Sequence, residues 1–183
     1  VPSTLSHAAV AIAAGTVFSS RPAPKHFWSV SIACAVIADI DLIPFLFGVP
    51  YNHFFGHRGF FHSIFFGLLV SIAATKYVSS VSKGLPEAWV RYFTLFFLLC
   101  VSHGLLDALS NGSIGVALFS PFDPTRYFLP WQPISMVRMR VFLTTWSLAA
   151  IRSELFWVWI PSCLVVLITA LVRTVGRKAV LRP

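Results

Sequence analysis

Four stretches of this chain stay apolar for as long as a bilayer is thick, and that limits the fold more than any other feature. Phe27–Phe47, Gly59–Val78, Ala88–Leu109 and Leu155–Val172 each reach the roughly 18 residues a helix needs to cross a hydrocarbon core of about 30 Å. A fifth run, Leu5–Ser19, is Ala-rich and short for a crossing at about 1.5 Å per residue. Of 183 residues 57% are hydrophobic and only 11% charged, and mean hydropathy is +0.79. Soluble domains carry about a quarter charged residues, so the chain reads as an integral membrane protein. The expected fold is all-α: a polytopic membrane helical bundle of four to five spans, one domain over residues 1–183, with a long ordered outer loop over 113–153.

The net charge of +8 comes from basic residues scattered over segment ends and loops. No single basic patch forms, which points to membrane orientation and excludes nucleic acid as a partner. Cys34, Cys100 and Cys163 lie in apolar runs with no C-x-x-C spacing, and an odd count without paired spacing excludes a disulfide framework or thiolate site. Ala8–Phe18 is apolar like a signal h-region but lacks a basic flank and follows His7, so it is read as mature protein. The start at Val1 is read as loss of an initiator Met.

Against this apolar background seven ionisable residues stand out: His7, Asp39, Asp41, His57, His62, His103 and Asp107. An isolated charge inside an apolar segment is expensive, so such groups are expected to share a site. His103 and Asp107 are four apart and project about 40° from each other on a helix, a workable separation for two ligands of one ion. Asp39 and Asp41 project about 200° apart on an ideal helix. Pro44 lacks the N–H that would bond Ile40, and the loosening it brings lets both carboxylates face one site. The later segment Ser113–Ser153 mixes prolines with Phe122, Tyr127, Phe128 and Trp131, which reads as an ordered, membrane-apposed cap.

Charge asymmetry orients the spans. If they alternate, Arg21, Lys25, Lys76, Lys83, Arg91, Arg173, Arg177, Lys178 and Arg182 gather on one side, nine of fourteen Lys and Arg residues, and that side is expected to be cytoplasmic. The same assignment places all seven His and Asp residues on the opposite, non-cytoplasmic face. The charge count took no account of those residues.

The residues resemble the YdjM-like family of LexA-regulated, inner-membrane, predicted metal-dependent hydrolases. The likeness covers most of the chain and rests on Ser6-His7, Asp39-Ile40-Asp41 followed by Pro44, the block His57-Arg58-Gly59-Phe60-Phe61-His62-Ser63, Ser102-His103 to Asp107, and Pro121-Phe122 to Arg126-Tyr127. Phe61 stands where Thr is expected in many relatives. The resemblance implies a multi-pass protein of the bacterial inner membrane, a bound metal and hydrolase chemistry.

Imidazoles mixed with carboxylates favour zinc, with manganese or iron as alternatives, over magnesium and calcium. Four His and three Asp exceed one tetrahedral shell, so two ions bridged by an Asp, or one ion with a His–Asp pair behind it, both fit. The catalytic residues are expected to be Asp41, Arg58 and Asp107: a metal-acidified water, a carboxylate taking its proton, and a guanidinium facing the developing charge. Arg58 and Arg126 are the expected substrate-binding pair for an anionic head, and a lipid substrate with a phosphoester head suits a site at the membrane surface. The alternatives are a metal-ion transporter and a membrane scaffold pinned by a structural metal. His26 and His53 read as solvated, and Glu154 as a helix cap or an extra ligand. The sequence leaves the oligomeric state open.

Overall fold

The computed structural model describes residues 2–19, 23–82, 86–111, 114–135 and 148–180. Helix α1 (Thr4–Phe18) starts at Ser3, whose hydroxyl accepts the Ser6 amide at 3.3 Å. Helix α2 (Phe27–Val36) tightens into a 3-10 turn at Ile37–Asp41 and resumes as α3 (Leu42–Leu46). A second 3-10 turn, Phe60–His62, precedes α4 (Ile64–Val81), and α5 (Pro86–Ala108) follows. The last helical run comprises α6 (Leu148–Glu154), a π-helical turn (Leu155–Trp159) and α7 (Ile160–Val180). Phe27–Leu46, Ile64–Val81, Ala88–Ala108 and Leu148–Gly176 are long and apolar enough to cross a membrane, whereas α1 is shorter. The all-helical bundle with four candidate spans is therefore observed, and among the described residues extended pairing is limited to two isolated bridges.

Helix α1 packs against α2, α5 and α7, α2 against α5, and α4 against α5. Small residues let these helices approach closely. A Cβ on Gly67 would lie 3.0 Å from Cys100 Cβ, and one on Gly15 would lie 2.8 Å from the Trp28 ring, the small-residue contact by which helices associate in lipid. Between them Ala11, Phe27, Ala35, Leu95, Phe96 and Leu99 form the buried core. The outer faces, Leu164, Leu167, Ile168 and Leu171 of α7 among them, are exposed hydrocarbon, as expected where the solvent is lipid.

The structure departs from the sequence reading at two boundaries. Helix α4 begins at Ile64 and not at Gly59, because the Ser63 hydroxyl accepts the Phe66 amide at 3.0 Å and caps it there. The last helix begins at Leu148, inside the stretch read as outer loop. The part of that loop at 114–135 is ordered and pinned to the bundle: the Ile64 amide donates to Leu118 O, Ala117 N to Arg58 O, and Leu129 N to Ala108 O. Val1, Arg21, Lys83, the Gly84-Leu85 break, Gly112, Ser113, the stretch 136–147 and Arg182 lie outside the described residues.

Candidate metal centre

The seven His and Asp residues come from distant parts of the chain and meet at one end of the bundle. The first 3-10 turn carries Asp39 and Asp41. Its tighter winding reduces the angular separation of residues two apart from about 160° to about 120°, and Pro44 leaves Ile40 without the next α-helical donor. Asp41 is fully buried. Its Oδ1 accepts from His57 Nδ1 at 2.7 Å and its Oδ2 from the Arg58 amide at 3.0 Å; Oδ2 also lies 2.9 Å from His62 Nδ1. Both oxygens of this expected ligand are thus engaged in holding two imidazoles and the loop between them.

Helix α5 presents His103 and Asp107 one turn apart, as their spacing requires. His103 Nδ1 donates to the Ala35 carbonyl at 2.7 Å, which fixes the tautomer and leaves Nε2 bare and directed at Asp39 Oδ1, 3.5 Å away. The His7 ring stacks on that of His103 with centroids 3.7 Å apart, and His7 Nε2 lies 3.9 Å from Asp107 Oδ1. Asp107 Oδ2 lies 3.2 Å from His62 Nε2 and 2.9 Å from Arg58 Nε. Gly104 permits this closeness, since a Cβ there would fall 2.8 Å from the His62 carbonyl oxygen.

Two sets of three ligand atoms result, His7–His103–Asp107 and Asp39–His57–His62, each set lying within 4.8 Å. Among the described residues both His7 nitrogens, His57 Nε2 and His103 Nε2 are buried without a hydrogen-bond partner. A metal-binding histidine characteristically donates one ring N–H to a carboxylate or carbonyl and turns the other nitrogen to the ion, and His57 and His103 are held in that manner. Charge balance agrees. Three carboxylates face one guanidinium, which leaves the pocket with an excess of negative charge in a buried setting where unpaired charge is costly. Burial disfavours the charged form of His62, but its contacts with Asp107 and Asp41 prevail and push its pKa up to about 9; burial holds His57 below the ordinary imidazole range against the pull of Asp41. Bare nitrogens beside an excess of negative charge are what a divalent cation needs, and both sets of side chains could hold one. Among the described residues Asp39, with 13% of its side chain exposed, is the most accessible member of the cluster.

Arg58 is also fully buried, with a backbone φ of 63°. Its Nη2 donates to Ser110 Oγ at 2.8 Å, while Nη1 has no partner among the described residues. Arg126, the other expected substrate-binding residue, points elsewhere. Its Nη1 donates to the carbonyls of His57 (3.1 Å), Arg58 (3.3 Å) and Gly115 (3.4 Å), and its Nη2 to that of Tyr51 (3.0 Å). The geometry makes Arg126 a clamp between cap and site loop. His26 and His53 are exposed and outside the cluster, and Glu154 caps α1 instead of joining the ligands. Sequence reasoning missed Ser110 and Tyr51, whose ring meets His57 edge-on at 5.3 Å and whose hydroxyl is buried. In sequence Ser110 belongs to the Ser110-Asn111-Gly112 run that ends a helix, and a lone tyrosine in a loop carries no spacing signal.

Comparison with known proteins bears on these observations. Residues 3–179 match the family described as YdjM inner membrane protein. The chain is 34% identical over 166 residues to "Inner membrane protein YbcI" of Escherichia coli (strain K12), covering 90% of this chain and 94% of that relative. No solved structure matches it.

Proposed function

The chain belongs to the YdjM inner membrane protein family, and we propose that it is a multi-pass protein of the bacterial inner membrane that hydrolyses a lipid-linked phosphoester with the help of bound metal. The observation that carries this reading is the pair of imidazoles, His57 and His103, each anchored through Nδ1 and each with a buried Nε2 that has no hydrogen-bond partner among the described residues, that of His103 lying 3.5 Å from Asp39 Oδ1. The two triads suit two divalent ions, zinc by the mixed nitrogen and oxygen donors, with manganese or iron as substitutes. Asp41 holds His57, His62 and Arg58 in place. A bound ion would supply Lewis acidity and an acidified water at neutral pH.

The remaining chemistry belongs to the chain. Asp107 Oδ2 is held in the ion pair with Arg58, which leaves Oδ1 as the oxygen that would face an ion in its triad. Arg58 Nη1 is the guanidinium nitrogen left over for an anionic oxygen, and arginine remains charged in a dry site. The exposed aromatics Phe122, Phe128 and Trp131 of the cap fit a substrate drawn from the membrane, and the site is assigned to the non-cytoplasmic side. The test is elemental analysis of purified protein together with product release from phospholipid and polyprenyl phosphate in lipid vesicles. Zinc with phosphoester turnover is expected. Zinc carried across the vesicle wall without any product would replace the hydrolase with a metal-ion transporter.

A further inference from the structure

Among the described residues one more carboxylate is buried outside the cluster, Glu154, at the entry to the last span, and no Lys or Arg pairs with it there. Its hydrogen-bond partners among the described residues belong to the start of α1. The Ser3 amide donates to Oε1 at 2.9 Å, and the hydroxyls of Ser3 and Ser6 both donate to Oε2. Trp159 Nε1 donates to Ser6 Oγ at 2.8 Å. A carboxylate 151 residues away in sequence therefore accepts one amide and two hydroxyls at a helix N-terminus and lies at the positive end of its dipole.

The backbone of the last helix is shaped for this contact. Residues five apart point about 140° away from each other on an α-helix. Glu154 and Trp159 are five apart, and the intervening Leu155–Trp159 turn is π-helical, a winding with i→i+5 bonds that brings such residues close to one face. Both side chains can then reach the same two serines. Ser6 immediately precedes His7, and neither nitrogen of the His7 ring has a hydrogen-bond partner among the described residues, so the position of the ring follows from the seating of α1.

We infer that Glu154, with Trp159, is a positioning residue that seats the start of α1 so that His7 completes the triad with His103 and Asp107. The inference rests on the metal reading above for its consequence, though not for the contact itself. Zinc affinity and count are measured on Glu154→Gln and Trp159→Phe, alone and combined with His7→Ala, with thermal unfolding and hydrogen exchange of the α1 amides followed alongside. Expected are zinc binding at least about tenfold weaker, the scale found when a group orienting a metal ligand is removed, and faster exchange at residues 6–8. On the His7→Ala background the same changes should weaken zinc no further, because they act through His7. Unchanged zinc binding in both variants, or a loss that adds in full to that of His7→Ala, overturns the inference. Should Glu154→Gln fail to fold, Trp159→Phe, which removes the indole N–H and part of the ring but keeps an aromatic side chain, decides the matter alone. If the unaltered protein binds no zinc, the metal reading fails, and the exchange arm still shows whether Glu154 and Trp159 seat α1.

Discussion

Arg58 occupies the left-handed region of backbone space at φ 63°, where a residue with a Cβ is strained by about 1–3 kcal/mol. It is held there by its amide on Asp41, its carbonyl under the Ala117 amide and the Arg126 guanidinium, and its own guanidinium between Asp107 and Ser110. Arg58→Gly relieves the strain but leaves Asp107 a buried charge without its partner, a loss of about 3–5 kcal/mol, so the variant should unfold at lower temperature despite its more permissive backbone. Arg58→Lys keeps a charge and loses the fork that spans Asp107 and Ser110 together. It should retain zinc while turnover on lipid phosphoesters falls, and equal loss of zinc and turnover would count against a role in handling the substrate. At this scale the ligands were legible because ionisable residues are conspicuous in apolar runs. Asp41 was legible as a site residue but not in its function, since only coordinates reveal that both its oxygens face imidazole Nδ1 atoms and an amide. The clamp formed by Arg126 was hidden for the same reason: backbone carbonyls leave no trace in a sequence.

Among the elements, the break between α2 and α3 has the most direct link to the site. Pro44 cannot donate to Ile40, and the turn just before it is 3-10, which brings Asp39 and Asp41 toward a common side. Pro44→Ala restores that donor and favours a continuous α-helix, in which the two carboxylates diverge again. Zinc binding should weaken about 10–100-fold with little loss of thermal stability; titration of the variant with zinc checks this, and wild-type affinity would separate the proline from the site. Pro44 announced this break in advance, whereas the boundary at Ser63 was obscured. Phe60 and Phe61 continue the apolar pattern of the span behind them, so hydropathy ran the helix back to Gly59, while the cap from Ser63 to the Phe66 amide starts it at Ile64. The start at Leu148 was hidden by Arg152 and Glu154, charged residues that suggested loop. Glu154 is instead satisfied by serines brought from the other end of the chain.

For the whole molecule, the apolar runs made the fold class legible, since a chain in lipid must satisfy its backbone within helices or a closed barrel. We propose the orientation from charge: nine of fourteen basic residues fall on the side away from the cluster if the spans alternate, and the positive-inside bias then favours the non-cytoplasmic face for the site. The loop after α3 offers a direct check. Asn52 is exposed there, five residues before His57, and its position on the chain ties its side of the membrane to that of the site. The native Cys34 is buried and Cys100 half-buried, but Cys163 is exposed on the helix surface, so the measurement uses a Cys163→Ser background. Asn52→Cys in intact cells should react with a membrane-impermeant thiol reagent, and a cysteine at Lys76, near the opposite end of α4, should react only after lysis. The reverse pattern turns the site toward the cytoplasm, leaves the ligand cluster intact, and moves the substrate to lipids and phosphoesters of the inner leaflet.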